Sequence, residues 1–344
     1  MSVRNRILVG DVRERLADIS AASVDCVITS PPYYQLRDYG NAAQLGLEAT
    51  VDEWAEGLRG VLDKVGRVLK PTGVVWVNLG DSYSRHAKYG ASNKSLLLGP
   101  ERFSLKLIDD GWIVRNKVVW AKSNPLPSSV RDRLSSTWEV IYMLTREGTY
   151  FFDLDAVRIF HGSKRAPRRE ARRVGHAYPA LGAGAPSWGD TQSGNRALAE
   201  MNDRGEVGHP LGKNPGDVWE IGTASFRGAH FATFPVKLVD RPLLATCPEK
   251  VCAGCGRPWQ REPMRRLGQL AVRGELRKSC ACDRGWNPGL VLDPFIGTGT
   301  VALAAIAHQR DWLGIELNPD YATIAEQRIA AATPERVNQD KKAA

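Results

Sequence analysis

The stretch GLVLDPFIGTGTVALAAIAHQRDWLGIELNPDYATIAEQRIAAA, residues 289–332, decides the fold of this chain. Its apolar run VLD predicts a β-strand that ends at Asp293, and the loop FIGTGT then leads into the helical pattern VALAAIAHQ. A second strand, WLGIE, ends at Glu316 and precedes a second helical pattern. Strands that alternate with helices indicate parallel strands joined by helical crossovers, and therefore the α/β class.

The loop between the first strand and its helix has the features of a ligand site. Gly297 and Gly299 let the backbone approach a ligand closely, and the helix N-terminus offers free N–H groups to an anionic group. Glu316, at the end of the next strand, can accept from both hydroxyls of a ribose. A P-loop is excluded because no lysine follows the glycines, and an NAD site is disfavoured because position 302 is alanine. The alternative is a tight strand-to-helix turn without a ligand.

The N-terminal half of the chain continues the same alternation. Apolar periodicity predicts helices from Thr50 to Lys70, closed by Pro71 and Gly73, and over residues 99–111. The candidate strands are NRILVGD (5–11), CVIT (26–29), VVWVNLGD (74–81), WIVRNKVVWAK (112–122) and TWEVIYMLTREGTYFF (137–152). We therefore expect an open, doubly wound sheet.

A second motif, Thr29-Ser30-Pro31-Pro32-Tyr33, lies at the exit of one of these strands. An exocyclic base amine is a poor nucleophile, because its lone pair is delocalised into the ring, and acceptors aimed at its hydrogens would repolarise it. The Ser30 hydroxyl and the Pro31 carbonyl are candidate acceptors, and consecutive prolines stiffen the loop that carries them. Tyr33 offers a flat face to an extruded base, and such stacking contributes about 1–3 kcal/mol. Without a partner motif the same residues would be a plain turn.

Taken together, the two motifs resemble the beta class of DNA amino-methyltransferases, in which an S/D/N-P-P-Y/F motif precedes a D-P-F-x-G-x-G-T motif. Most class I methyltransferases have the reverse order, so the resemblance implies a circularly permuted class I, Rossmann-like sheet. Five further segments resemble the same family: TSPPYYQLRDYG (29–40), LGDSY (79–83), WAKSNPLPSSVRDR (120–133), NPGDVWEI (214–221) and HFATFP (230–235).

The resemblance also implies a cofactor, S-adenosylmethionine, and a set of site residues. The catalytic loop would comprise Ser30, Pro31, Pro32 and Tyr33. Glu316 would bind the cofactor ribose, and Asp11 would approach its adenine. The methionine part would be surrounded by Asp293, Phe295, Gly297, Gly299 and Thr300. The full cofactor-binding set is Asp11, Thr29, Phe231, Thr233, Phe234, Asp293, Phe295, Gly297, Thr298, Gly299, Thr300 and Glu316. The alternatives are a helix N-cap for Asp11 and a core strand for residues 231–235.

The expected substrate is double-stranded DNA, with the target base flipped out of the duplex. Serine at position 30 resembles the cytosine-N4 enzymes, whereas adenine-N6 enzymes more often have aspartate or asparagine, so N6-adenine remains the alternative. A net charge of +9 suits a polyanionic partner. A chain that only binds DNA, with a vestigial fold, is the alternative from another class, and RNA or protein methylation is disfavoured by the motif order. No Pro-Cys dipeptide occurs, which disfavours covalent carbon-5 methylation.

The remaining organisation follows from composition. We expect a catalytic half at 1–154, a variable target-recognition insertion at 155–228 that includes SKRAPRREARR, a cofactor-binding half at 229–246 and 287–335, and a disordered tail at 336–344. No run of 18 apolar residues or signal-peptide pattern is present, so a cytoplasmic enzyme, bacterial, archaeal or phage-encoded, is expected without a membrane partner. A cognate restriction endonuclease and a second copy of the chain are candidate partners.

Cysteines concentrate in a segment at 247–286, which we expect to form a zinc-ribbon-like insertion. The spacing of Cys252-Ala-Gly-Cys255 is typical of zinc sites, and Cys280-Ala-Cys282 would complete four thiolate ligands of a structural Zn²⁺. Cys280 and Cys282 are closer in sequence than is usual for a zinc-binding pair, so Cys247, Asp283 or His308 could replace one of the four ligands. The alternative is a group of reduced thiols that binds no metal. Basic residues within the segment would suit DNA contact: Arg257, Arg261, Arg265, Arg266, Arg273, Arg277 and Lys278.

Overall fold

The structure, a computed structural model, describes residues 4–38, 40–41, 43–160, 209–223, 234–267 and 270–332. The chain divides into two compact units. The first comprises Met1–Ala156, Gly216–Arg261 and Leu276–Ala344, and the second comprises Val157–Pro215 and Glu262–Glu275. Both candidate motifs and all the clustered cysteines belong to the first unit.

Most of the strands build a single sheet. In chain order, the strands are β1 (Arg6–Val9), β2 (Val24–Thr29), β3 (Leu69–Leu79), β4 (Ile113–Lys122), β5 (Trp138–Thr145), β6 (Val218–Ile221), β7 (Val251–Cys252), β8 (Gln260–Arg261), β9 (Arg265–Leu267), β10 (Leu270–Val272), β11 (Leu276–Arg277), β12 (Trp286–Asn287), β13 (Leu290–Asp293) and β14 (Asp311–Glu316). Among the described residues, the central sheet has eight strands in the order β1-β14-β13-β2-β3-β5-β4-β6. Neighbours from β1 to β3 are parallel, β5 is antiparallel to β3 and β4, and β6 is parallel to β4.

Helices cover both faces of this sheet, as the doubly wound pattern requires. They are α1 (Val12–Arg15), α2 (Val51–Val68), α3 (Gly99–Asp109), α4 (Val236–Thr246), α5 (Thr300–Ala307) and α6 (Pro319–Ala332). Successive strand residues point to opposite faces, so Val75 and Val77 pack with α2 and α3, while Val74 and Trp76 pack with α4 and α5. The mixed α/β class that the sequence predicts is confirmed.

Helix α2 shows how local sequence sets an element and where the sequence prediction was inaccurate. The Thr50 side chain accepts from the Glu53 backbone N–H and the Glu53 side chain accepts from the Thr50 N–H, which is a capping box. The helix ends at Val68 rather than Lys70. Leu69 has an extended backbone because it is the first residue of β3 and pairs with Val24 of β2. Leu69 and Lys70, which the apolar periodicity assigned to the helix, therefore belong to the sheet.

The sheet order explains how distant segments meet. The strands β13 and β14 from the C-terminal part lie between β1 and β2 from the N-terminal part. In the parallel register, Val291 pairs with Cys26 and Leu292 with Val27, so β2 and β13 end at the same edge. That this order arose by circular permutation stays a prediction.

The second unit is described only in part. Strands β9 and β10 form an antiparallel pair, and Ile159 makes an isolated bridge with Lys213. Most of the predicted recognition insertion, residues 161–208 and 224–228, lies outside the described residues, as does the predicted tail at 336–344. The domain boundaries expected from the sequence stay predictions. In the part of the chain that is described, no helix has the length and apolar character needed to cross a membrane.

Candidate active site

The loop after β2 is held in place by its neighbours on β3 and α2. The Trp54 indole N–H donates to the Pro32 carbonyl at 2.9 Å, which fixes the second proline. The Tyr33 ring lies against Gly80: a Cβ placed on that glycine would be 2.7 Å from Tyr33 Cε2. Glycine at position 80 therefore provides the space in which the tyrosine ring lies.

The hydroxyl of Tyr33 joins a polar network between the strands. It donates to Glu139 Oε2 at 2.6 Å and accepts from Asn78 Nδ2 at 2.6 Å, and Ser30 Oγ lies 3.3 Å away. The same amide of Asn78 also donates to Glu139 Oε2, and Lys122 Nζ donates to Glu139 Oε1 at 2.6 Å. The orientation of the Tyr33 ring thus depends on residues from β3, β4 and β5.

A pocket opens beside this loop, where β2, β13, β14 and the start of α1 meet. Its lining residues are Gly10, Asp11, Val12, Ser30, Pro32, Asn41, Ala43, Gln44, Leu45, Pro294, Phe295, Gly297, Thr298, Ile315, Glu316, Leu317, Asn318 and Tyr321. Residues from the two motifs, more than 250 positions apart in the chain, therefore line one cavity.

Glu316 is the central carboxylate of this pocket. Its Oε2 accepts from the Gly297 N–H and its Oε1 from the Asn318 N–H, both at 2.9 Å. Burial raises the pKa of Glu316, and the two N–H donors oppose that rise. Gly297 has a φ of 50° and lines the pocket, and among the described residues a Cβ there would come within 4 Å of only Phe295 O, at 3.9 Å. A polar ligand with hydroxyl donors and a close approach to the loop fits this lining.

Asp293 connects the two motifs behind the pocket. Thr29 Oγ1 donates to Asp293 Oδ1 at 2.7 Å, and the Phe295 N–H donates to the same oxygen at 3.0 Å. Asp293 is buried, and among the described residues its Oδ2 has no hydrogen-bond partner. Desolvation by burial raises the pKa of this carboxyl to about 7, while the Thr29 hydrogen bond opposes the rise. The loop that begins the cofactor motif is therefore tied directly to the end of β2.

The structure divides the predicted cofactor residues into several groups. Lining the pocket are Asp11, Phe295, Gly297, Thr298 and Glu316. Directly behind it are Thr29 and Asp293, which are buried, and Gly299 and Thr300, which start α5. Phe231 and Thr233 lie outside the described residues. Phe234 is half-buried and packs on the α4 side of the sheet, outside any strand.

Asp11 fits both of its interpretations. Its side chain accepts from the Arg13 backbone N–H and caps α1, and it also lines the pocket. A side-chain hydrogen bond from the Arg13 guanidinium lowers the pKa of Asp11. An ionised acceptor is thereby kept at the pocket rim.

Comparison with known proteins identifies the family. A family model described as DNA methylase matches residues 24–327. The chain belongs to the N6/N4 DNA methylase family. It is similar to the type II methyltransferase M.XycI of Xanthomonas campestris pv. cyanopsidis, at 30% identity over 93% of this chain and 86% of that protein. It is similarly related to M.SmaI of Serratia marcescens, at 29% identity over 94% of this chain and 90% of that protein.

Solved structures show that this DNA methylase shares its fold with other methyltransferases. One is the PvuII DNA methyltransferase described as cytosine-N4-specific, with a TM-score of 0.55, 17% identity and coverage of 97% of this chain and 88% of that one. Another is a DNA modification methylase of Thermus thermophilus in complex with S-adenosyl-L-methionine, with a TM-score of 0.51, 22% identity and coverage of 96% and 97%. The predicted membership of the S-adenosylmethionine-dependent DNA amino-methyltransferases is confirmed.

Sequence reasoning missed several residues of the methylase site. Asn78, Lys122 and Glu139 bind the Tyr33 hydroxyl or each other, and Gln44 and Tyr321 help to line the pocket. One signal was available for Asn78 and Glu139, because each is a polar residue within an otherwise apolar strand run. The pocket residues Asn41, Ala43, Gln44 and Leu45 carry no such signal.

A second, wider cleft lies beside the predicted catalytic loop of the methylase, next to Tyr34. It is lined by Tyr34, Gln35, Leu36, Asp81, Ser82, Tyr83, Ser84, Arg85, Tyr89, Asn93, Lys94, Leu97, Val130, Asp132, Arg133 and Ser136. The Arg133 guanidinium lies 3.8 Å from the Tyr83 ring centroid. The cleft thus joins aromatic faces and cations next to the predicted base-binding loop.

The cysteines form one compact group. The sulfur atoms of Cys252, Cys255, Cys280 and Cys282 all lie within 4.8 Å of one another. Of the predicted substitutes, Cys247 is instead buried in the core on the α4 side. Another, His308, pairs with Asp240.

The cysteine group belongs to the opposite end of the sheet from the catalytic loop. Lys70 Nζ donates to the Gly256 carbonyl at 3.2 Å and to Asp25 Oδ1 at 2.6 Å. The other oxygen of Asp25 accepts from the Leu290 N–H. Asp25 is near the start of β2 and Thr29 is its last residue, so these two residues are separated by about 13 Å of strand.

Proposed function

We propose that this methylase transfers a methyl group from S-adenosylmethionine to the N4 amine of cytosine in double-stranded DNA, after flipping the cytosine out of the duplex. The observation that carries the proposal is the common pocket lined by Ser30, Pro32, Gly297 and Glu316. Serine at the first position of the catalytic motif, and the cytosine-N4 specificity printed for the PvuII enzyme, support cytosine over adenine.

The cofactor is assigned to the Glu316 side of this pocket. S-adenosylmethionine supplies an electrophilic methyl group when bound. Glu316, held by two backbone N–H groups, has lone pairs left to accept from ribose hydroxyls. Asp11 is placed to accept from the adenine amine, and the bare backbone at Gly297 allows close approach of the methionine part.

The acceptor base is assigned to the Ser30 side. The Ser30 hydroxyl and the Pro31 carbonyl accept from the exocyclic amine, which orients its lone pair toward the methyl group. The Tyr33 ring stacks on the extruded base, and the wider cleft beside Tyr34 takes the neighbouring DNA. The basic and aromatic lining of that cleft suits phosphates and unstacked bases.

Mass spectrometry of nucleosides from DNA treated with the methylase tests the substrate. We expect N4-methylcytosine, and N6-methyladenine as the sole product would overturn the choice of base. The Ser30→Ala variant should lose turnover and keep its affinity for S-adenosylmethionine, because Ser30 acts on the acceptor amine. Equal loss of both would mean that the loop is structural. Absence of cofactor binding in calorimetry would instead favour a chain that only binds DNA.

We also propose that the cysteine group of residues 252, 255, 280 and 282 holds a structural Zn²⁺ ion. Four thiolates satisfy tetrahedral zinc and leave no open position for catalysis. Metal analysis should give one equivalent of zinc, which Cys282→Ser loses and Cys247→Ala keeps, since Cys247 lies in the core. Zinc lost equally in both variants, or absent from the wild type, would contradict this ligand set.

The names of the relatives suggest a setting for the enzyme. Both curated relatives described above are type II methyltransferases, so we propose a role in DNA modification beside a restriction endonuclease. The cytoplasmic location and a homodimer stay predictions.

A further inference from the structure

In the polar network around Tyr33, the donor and the acceptor of most hydrogen bonds can be assigned. The carboxylate of Glu139 can only accept hydrogen bonds. It receives Lys122 at Oε1, and Tyr33 and Asn78 at Oε2. Because the proton of the Tyr33 hydroxyl is directed to Glu139, the Tyr33 oxygen is an acceptor toward its other neighbours, Asn78 Nδ2 at 2.6 Å and Ser30 Oγ at 3.3 Å.

The direction of this network determines what Ser30 offers to a ligand. Since the Tyr33 proton goes to Glu139, the Ser30 hydroxyl is the donor toward the Tyr33 oxygen. The Asn78 amide donates to Ser30 Oγ at 3.4 Å, and one lone pair of Ser30 remains for a donor on a ligand. Ser30 also lines the pocket that takes the cofactor. A hydroxyl can act as donor or acceptor, and only the accepting orientation polarises an amine for attack.

We propose that Glu139, paired with Lys122, is a positioning residue that acts through the Tyr33 hydroxyl to hold Ser30 as a hydrogen-bond acceptor for the target amine. This inference rests on the proposed function. Tyr33 then has two roles. Its ring stacks on the base, and its hydroxyl orients the Ser30 hydroxyl as an acceptor. The family motif accepts phenylalanine at this position, so stacking does not require the hydroxyl.

Two variants test the inference by steady-state methylation of a DNA duplex. Tyr33→Phe removes one oxygen atom and keeps the ring. Glu139→Gln keeps the shape but adds an amide that can donate to Tyr33. We expect each to lower kcat by about 10- to 100-fold, the range for a lost hydrogen bond to a charged group. KM for DNA and affinity for S-adenosylmethionine should stay within about twofold, because neither ligand's binding contacts change.

The double variant and a control separate positioning from general damage. The kcat of Tyr33→Phe/Glu139→Gln should be no lower than that of the slower single variant, since both substitutions break the same chain of hydrogen bonds from Glu139 through Tyr33 to Ser30. Glu147→Gln, an exposed glutamate two residues beyond β5, should behave as wild type. Glu139→Asp, which retains an acceptor, should recover part of kcat.

Three outcomes would overturn the inference. They are an unchanged kcat in Tyr33→Phe, multiplicative losses in the double variant, and a rise in KM without a fall in kcat. If Glu139→Gln does not fold, Tyr33→Phe alone still tests the inference, because it leaves the Glu139–Lys122 pair intact. Failure of the proposed function is distinguishable, because the wild type would then yield no methylated cytosine before any variant is compared.

Discussion

Replacing Asp293 with asparagine should stabilise the methylase above neutral pH. Burial raises the pKa of this carboxyl from an ordinary 3.8 to about 7, so folding favours its protonated form. The stabilisation is complete below the unfolded-state pKa and is lost as the pH rises through the folded-state value. In the variant, the amide oxygen can still accept from Thr29 and from the Phe295 N–H.

The size of the effect follows from the difference between the two pKa values. At about 1.4 kcal/mol per pH unit, the raised pKa lowers the free energy of unfolding, relative to its value at low pH, by about 4 kcal/mol at about pH 8 and about 3 kcal/mol at about pH 6. At about pH 6 the folded carboxyl is still protonated while the unfolded one is ionised. Asp293→Asn removes that penalty at both values. We therefore expect its free energy of unfolding to exceed that of the wild type, by more at the higher pH.

Urea unfolding followed by tryptophan fluorescence measures this difference, with Asp63→Asn on the exposed side of α2 as the control. A variant that is less stable than wild type at both pH values, with parallel pH dependence, would refute the reasoning.

Three further substitutions test other parts of the structure. Gly80→Ala should lower kcat and leave cofactor affinity unchanged in calorimetry, because its Cβ would displace the Tyr33 ring; an active variant would show that the ring position is unimportant. Gly297→Val should abolish cofactor binding, and normal binding would place the ligand elsewhere. Lys70→Met should reduce the free energy of unfolding by about 3–5 kcal/mol, because it leaves the buried Asp25 carboxylate without its ion-pair partner. An unchanged free energy of unfolding in urea would mean that Asp25 is protonated.

The sequence was sufficient for the parts of the fold that depend on short-range pattern. The unit at 289–332 was predicted with its strands, loop and helices because glycines, apolar runs and a terminal acid lie in one continuous stretch. That Ser30 and Gly297 belong to one site was implied by the family resemblance, and both line the same pocket.

Contacts that depend on antiparallel neighbours could not be predicted in this way. Glu139 reaches Tyr33 only because β5 pairs with β3 in a register where Asn78 faces Ile141, and nothing local to residue 139 fixes that register. The pocket residues Asn41 and 43–45 likewise lie outside any helix or strand. The cysteine spacing predicted a compact group, but its position at the far end of the sheet depends on Lys70, a residue of β3.

The placement of β13 and β14 between β1 and β2 has a consequence for synthesis on the ribosome. Until residues 290–316 emerge, β1 has no strand to pair with, and β2, which pairs with β3 on one side, has an open edge on the other. The nascent N-terminal half is then exposed to mispairing or capture by a chaperone. The sheet edge that carries the pocket can form only after residues 290–316 have been translated, so chains that terminate before them are released without this cavity.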